Sequence, residues 1–152
     1  MTRRQRGAYC LLFAAYLLAC AWVILMHRTL ETLNWLCDPR MRSLSLAIYW
    51  NGAESLANIL IFVPMGAYIA LLSRRPLAVN LLLVLAATVS LEALQYAFAC
   101  GTCDVMDVIN NFAGGALGVF LCGWLLHKLN AGRLLPLAAA GTAAFCMAVC
   151  FF

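Results

Sequence analysis

Long apolar runs divide the chain, and short polar connections separate them. Five runs approach or reach the roughly 20 helical residues that cross a bilayer core of about 30 Å. They are residues 8–26, 55–72, 77–99, 105–126 and 134–152. Because open sheets and lipid-exposed coil leave backbone polar groups unsatisfied in a membrane, the pattern predicts an all-α bundle of about five transmembrane helices.

One connection and two of the runs have further features. Pro64 and Gly66 lie inside the second run and predict an interruption of its helix. The long connection 27–54 contains "RSLSLAIYW" (42–50), for which two structures stay open. One is an interfacial helix on the membrane surface, and the other is a loop with Trp35, Tyr49 and Trp50 as aromatic anchors. The first run is expected to stay as an uncleaved helix, because it is longer than the apolar part of a signal peptide.

Composition supports a single membrane domain over residues 1–152. Of the 152 residues, 66% are hydrophobic and 11% are charged, and the mean hydropathy is +0.93. A soluble domain of this size has too much surface per volume to bury so many apolar side chains. The net charge of +4 does not indicate nucleic-acid binding, because the basic residues are spread in small groups at the ends of the runs.

Charge also predicts the orientation of the chain. If the N-terminus is cytoplasmic, the inner segments carry seven basic residues and the outer segments carry three. The positive-inside rule therefore predicts a cytoplasmic N-terminus and an external C-terminus. The acidic residues fall in outer connections or in the outer halves of helices, so the polar chemistry is expected to face outward.

Polar side chains recur three or four residues apart near the predicted outer helix ends. Glu92 lies roughly 10 Å below the end of the third run at 1.5 Å per residue. A carboxyl at that depth indicates either a functional group or a neutral, hydrogen-bonded packing contact. The remaining polar residues form pairs that each share one helix face. We expect them to converge with Glu92 on one outward pocket. They are Gln95 beside Glu92, Asp107 with Asn111, and Glu54 with Asn58.

On the fourth run, the helix face that carries Asp107 and Asn111 continues with small residues. Gly114 and Gly118 are spaced to let another helix backbone approach closely. Asp104, just before this run, fits either a helix cap or a ligand-binding group.

These residues resemble the VanZ family of bacterial membrane proteins, which is associated with resistance to teicoplanin-type lipoglycopeptides. The resemblance is carried by "NILIFVPMG" (58–66), "SLEALQ" (90–95) and "DVINNFAGGALG" (107–118). It covers a VanZ-like core of about residues 8–126 and leaves 134–152 as an extra span. The family commonly has an Arg between the Gln and Asp motifs. Here that stretch has no basic residue, and Arg40 or Arg42 would have to replace it.

The resemblance implies a multi-pass protein of the bacterial cytoplasmic membrane, acting at the cell envelope. Membrane lipid, and a lipid-linked cell-wall precursor or lipoglycopeptide, are its expected partners, and no cofactor is expected. If the protein is an enzyme, Glu92 is the candidate general acid or base and Asp107 the second carboxylate. Asn58, Gln95 and Asn111 would then orient the substrate. If it is a binding protein, the same residues form a polar mouth.

Two other chemistries are open. Cys100 and Cys103 have the C-x-x-C spacing of thiol–disulfide oxidoreductases, although a flanking Asp104 would raise the pKa of a thiol, contrary to what a reactive thiolate needs. Alternatively they form a structural disulfide or are incidental thiols. A proton-coupled transporter would use Glu92, but no internal repeat supports it. No metal site is expected.

Overall fold

The computed structural model describes residues 1–31, 43–50, 52–97 and 102–150. Five helices account for most of these residues, and each contains or closely matches a predicted apolar run. They are α1 (Arg3–Glu31), α2 (Gly52–Ser73), α3 (Leu77–Ala97), α4 (Val105–Lys128) and α5 (Ala131–Cys150). The prediction of a five-helix protein is confirmed.

Three helices in the described part of the chain are long and apolar enough to cross a membrane. These are α2, α3 and α4, with mean hydropathies of 2.0, 2.1 and 1.5 over their most apolar windows. Large apolar side chains such as Leu82 and Phe120 point away from the protein, with 64% and 55% of their surface exposed. Surfaces of this kind require lipid as solvent. The chain is therefore a membrane protein, while five spans and the orientation of the termini stay predictions.

A short parallel ladder joins two connections and corrects the all-α prediction. Strand β1 (Ser43–Ser45) pairs with strand β2 (Thr102–Asp104), and Leu44 stands opposite Cys103. Residues 46–50 are not helical, so the interfacial-helix alternative for 42–50 is wrong. The alternation of polar and apolar residues in "SLSL" has the period of a strand, and β2 supplies the partner that its backbone needs.

Glycines bring α2 and α4 into the closest helix contact of the bundle. Gly114 lies against the backbone of Ile59, and Gly118 lies one turn further along against the backbone of Val63. A Cβ at either glycine would overlap a carbonyl oxygen of α2. The absence of a side chain therefore fixes both the distance and the register between these two parallel helices.

Helix α2 continues through Pro64, so the predicted interruption is wrong. Proline removes one backbone donor and its ring crowds the carbonyl groups of the preceding turn. In that turn, the carbonyl oxygen of Ile61 accepts a hydrogen bond from the hydroxyl of Tyr16 on α1. This bond ties the turn before Pro64 to α1, and α2 continues through the proline without a break. Gly66, two residues later, packs against the backbone of Gly115.

Aromatic side chains hold α1 and α5 to α2. The rings of Tyr16 and Tyr68 lie 6.2 Å apart, and those of Tyr16 and Phe145 lie 5.1 Å apart. Tyr9 and Tyr16 are fully buried. Helix α1 is therefore part of the core rather than a peripheral segment.

The bundle has a basic end and an acidic end. The start of α1 lies beside the start of α5, where the Gln5 side chain covers Gly132. The turns from α2 to α3 and from α4 to α5 are at the same end. All seven basic side chains that the structure describes are there: Arg3, Arg4, Arg6, Arg74, Arg75, Lys128 and Arg133. The four described acidic side chains lie in the opposite half of the bundle: Glu54, Glu92, Asp104 and Asp107.

Candidate functional site

The candidate site lies at the acidic end, where the start of α2, the end of α3, the start of α4 and the ladder meet. We refer to Tyr49, Asn58, Glu92, Asp104 and Asp107 as the acidic cluster. Glu92 is only 4% exposed and Asp104 only 6% exposed. Buried carboxyl groups are stable only when hydrogen bonds or charges compensate them, so the contacts of each one define the site.

Asp104 connects three elements of the cluster. One of its carboxylate oxygens accepts a hydrogen bond from the backbone N–H of Met106 at 2.8 Å, which caps the start of α4. Its other oxygen accepts a hydrogen bond from the hydroxyl of Tyr49 at 3.1 Å. Its backbone N–H donates to the carboxyl group of Glu92 at 3.2 Å. Asp104 is therefore a helix cap, and it also links α3 and the residues after β1 to α4.

Asn58 and Asp107 form the second polar connection, between α2 and α4. The side-chain amide of Asn58 donates to the carboxylate of Asp107 at 2.6 Å. The bond is short, and hydrogen bonds to an ionised carboxylate are shorter and stronger than those between neutral groups. The glycine contacts of Gly114 and Gly118 lie below it on the same face of α4. Because the glycines let the backbones of α2 and α4 approach closely, the amide of Asn58 and the carboxylate of Asp107 come within hydrogen-bond distance nearer the acidic end.

The carboxyl groups of the cluster raise the pKa values of two other ionisable groups, the Tyr49 hydroxyl within the cluster and the Cys103 thiol beside it. Burial raises the pKa of the Cys103 thiol above its usual value, and the charges of Glu92, Asp104 and Asp107 raise it further. The hydrogen bond to Asp104 raises the pKa of Tyr49. The carboxylate of Asp104 contributes to both shifts.

A second polar level lies below the carboxylates, between α3 and α4. Val84 contacts Gly115, and Glu92 contacts Asp104, so the two antiparallel helices have a defined register. Thr88 lies midway between Val84 and Glu92, and Asn111 lies one turn before Gly115. Both are buried.

The side chains of this second level have spare hydrogen-bonding capacity. Thr88 Oγ1 and Asn111 Oδ1 have no hydrogen-bond partner among the described residues. A buried polar atom without a partner costs free energy of about 1–3 kcal/mol. These two oxygens are therefore the buried side-chain acceptors beneath the acidic cluster that the described part of the chain leaves unused.

The remaining candidates occupy less central positions. Glu54 is exposed in the first turn of α2, and its charge contributes to the raised pKa of Tyr49. Gln95 is half-buried on α3, three residues after Glu92. Cys103 is a half-buried free thiol. Its proposed partner Cys100 lies outside the described residues, as do the two arginines considered above as replacements for the family arginine.

The structure adds one residue that the sequence alone did not suggest. Tyr49 was expected only as an aromatic anchor, but its hydroxyl donates to Asp104. A single tyrosine in a long connection carries no signal for such a contact, because the contact depends on pairing between distant strands. Among the described residues, no group of three His, Cys, Asp or Glu side chains is arranged to hold a metal ion.

The cluster can recognise ligands that present hydrogen-bond donors or positive charge. Its carboxylates are acceptors, and Asn58 adds an amide whose donor is engaged by Asp107. Hydroxyl, amide and ammonium groups are the chemical complements of such acceptors. The polar groups are linked by hydrogen bonds, while an outward pocket above them stays a prediction.

Comparison with known proteins gives two matches to one family. The family model described as VanZ/LLP1 matches residues 13–127. The chain is 30% identical over 127 residues to Protein VanZ of Enterococcus faecium, and the match covers 81% of this chain and 78% of that protein. No solved structure matches the chain. Residues 13–127 include α2, α3, β2 and nearly all of α4, and with them the whole acidic cluster.

Proposed function

The chain belongs to the VanZ/LLP1 family, and from that premise we propose that it lowers bacterial susceptibility to teicoplanin-type lipoglycopeptides. In this proposal it is a multi-pass protein of the cytoplasmic membrane, with its acidic cluster at the outer face. The separation of seven basic side chains from the four acidic ones supports this orientation, because basic residues favour the cytoplasmic side.

The acidic cluster is the observation that carries the proposal. One hydrogen bond joins Glu92 on α3 to the backbone N–H of Asp104, and another joins Asn58 on α2 to Asp107 on α4. Carboxyl groups within a membrane protein are costly, and Glu92 on α3 has no capping role that would explain it, so it is the strongest indication of function in the cluster. We propose that the carboxyl groups of the cluster bind the polar headgroup of a lipid-linked or surface-glycan ligand. Thr88 and Asn111 would receive the part of the headgroup that enters deepest.

Catalysis is a further step within the same proposal. Glu92 is the candidate acid or base because it is buried and held in place by the backbone N–H of Asp104. Asp107, oriented by Asn58, is the candidate second carboxylate. An enzyme of this kind would show a group titrating between about pH 4 and 8 in its pH–rate profile. A binding protein would lower susceptibility without turnover.

The structure does not favour the thiol–disulfide alternative. A reactive cysteine needs a lowered pKa, usually from a nearby positive charge or a helix N-terminus. The surroundings of Cys103 do the opposite, since burial and three carboxylates raise its pKa.

Susceptibility measurements test the proposal. A teicoplanin-sensitive Gram-positive host would express the wild type, a Glu92→Gln/Asp107→Asn variant or a Cys100→Ser/Cys103→Ser variant, each at equal membrane abundance. We expect the wild type and the cysteine variant to raise the inhibitory concentration, and the carboxyl variant to lose that effect. A carboxyl variant as protective as the wild type would contradict the proposal. Loss of protection only in the cysteine variant would indicate that the thiols, and not the carboxyl groups, are needed for the function.

A further inference from the structure

A groove far from the acidic cluster has the properties of a lipid site. It is a half-open cavity of about 270 Å³ between α1, α2, α4 and α5. This volume is slightly below the range of sites for drug-sized molecules. It suits a stretch of hydrocarbon chain. The lining includes Val63, Leu71, Leu121 and Leu137, which are aliphatic side chains from two sides of the groove.

The polar groups in the groove wall make hydrogen bonds to one another. The hydroxyl of Tyr68 is 2.5 Å from that of Thr142 and 3.3 Å from the carbonyl oxygen of Ala138. These bonds join α2 to α5 across the groove. Because these groups already have partners, the wall presents an apolar surface and does not require a polar ligand.

Two basic residues are close in sequence to lining residues at the basic end of the bundle. Arg133 is adjacent to the lining residue Leu134, and Lys128 is one turn beyond the lining residue Leu125. The Lys128 ammonium lies 4.3 Å from the centre of the Trp124 ring, which holds it at the end of α4. Arg133 is exposed. An apolar groove that ends in positive charge matches a molecule with a hydrocarbon chain and an anionic head.

We propose that this groove binds one anionic phospholipid from the leaflet at the basic end. One acyl chain lies in the groove between α2 and α5, and the phosphate group is near Lys128 and Arg133. Electrostatic attraction of anionic lipid contributes about fivefold in affinity for each such basic residue, equivalent to ~1 kcal/mol. The site is separate from the acidic cluster, so this inference does not depend on the proposed function.

Two glycines provide a matched pair of variants that test the hydrocarbon part. Gly141 lines the groove, whereas Gly123 on α4 does not. A Cβ at either position would have no atom within 4 Å, and both residues are exposed. Gly141→Phe should therefore fill the groove without disturbing the backbone, and Gly123→Phe should add the same side chain to the lipid-facing surface elsewhere.

The measurement is native mass spectrometry of protein reconstituted in vesicles of equal phosphatidylglycerol and phosphatidylcholine and then released. We expect the wild type and Gly123→Phe to retain one phosphatidylglycerol molecule and Gly141→Phe to lose it. Lys128→Gln/Arg133→Gln should reduce the preference for phosphatidylglycerol over phosphatidylcholine by up to about 25-fold. Both of these side chains are exposed, so this variant remains informative even if Gly141→Phe fails to fold. Equal retention of the two lipids by the wild type, or equal preference in the wild type and the charge variant, would overturn the proposal.

Discussion

Replacement of Gly118 by alanine tests whether close contact between α2 and α4 supports the acidic cluster. A Cβ at this position would overlap the carbonyl oxygen of Val63 and lie 2.9 Å from the backbone nitrogen of Ala67. Because these atoms belong to the backbone, a rotamer change cannot relieve the overlap, and the two helices have to separate. Gly123→Ala is the control. Gly123 is on the same helix, and a Cβ there would meet no atom within 4 Å.

The magnitude follows from two opposing terms. Overpacking costs about 1–3 kcal/mol, and backbone overlap places Gly118→Ala at about 3 kcal/mol. Alanine gains about 1 kcal/mol over glycine in helix propensity, which leaves a net loss of about 2 kcal/mol. Gly123→Ala has only the gain, so the two variants should differ in unfolding free energy by roughly 3 kcal/mol.

Reversible unfolding in mixed detergent micelles measures this difference. We also expect Gly118→Ala to weaken teicoplanin protection, because helix separation lengthens the 2.6 Å hydrogen bond between Asn58 and Asp107. Equal unfolding free energies for Gly118→Ala and Gly123→Ala would refute the packing argument. A destabilised Gly118→Ala with full protection would instead show that the function does not need this helix contact.

Three further predictions concern the cluster itself. A double-mutant cycle with Asn58→Ala and Asp107→Ala should give a coupling of about 1.5–3 kcal/mol, as expected of a hydrogen bond to a charged group. The raised pKa of Tyr49 means that the contribution of its hydrogen bond to stability is present below pH 10 and is lost as the pH rises through the pKa in the folded protein. Tyr49→Phe should remove that alkaline dependence in pH-dependent unfolding. The raised pKa of Cys103 predicts that iodoacetamide alkylates it more slowly at pH 7 than a free model thiol, and Asp104→Asn should speed the reaction.

Each of these has an outcome that would contradict it. A coupling near zero would show that the amide and carboxylate do not interact in the membrane. If Tyr49→Phe loses stability at alkaline pH as the wild type does, the hydrogen bond to Asp104 is not the source of that pH dependence. Alkylation of Cys103 as fast as that of a model thiol would mean that the carboxylates do not affect it, and would reopen the redox interpretation.

The helices could be predicted from the sequence because lipid leaves the backbone few alternatives. Apolar runs of membrane length must satisfy their backbone hydrogen bonds internally, so length and hydropathy alone identify α2, α3 and α4. Pro64 was misleading for a related reason. The effect of a proline on a helix depends on its tertiary surroundings, and Tyr16, which bonds the turn before Pro64, lies on a helix distant in sequence.

Faces of the candidate site could be predicted, but the contacts between them could not. The spacing of Asn58 and Asp107 on their own helices followed from helical periodicity. Their pairing required the register of α2 against α4, which the glycine contacts fix only in three dimensions. The ladder was also missed, since strands of three residues give too little alternation to identify and their partners are far apart in the chain.

The most direct test of the acidic cluster as the functional site is teicoplanin susceptibility of cells that express Glu92→Gln or Ser90→Ala. Ser90 is on the same helix but is exposed, and its hydroxyl donates only to the carbonyl oxygen of Ala86 one turn earlier. With membrane abundance and unfolding free energy matched to the wild type, Ser90→Ala should protect fully and Glu92→Gln should not. Full protection by Glu92→Gln would contradict a functional role for the buried carboxyl group.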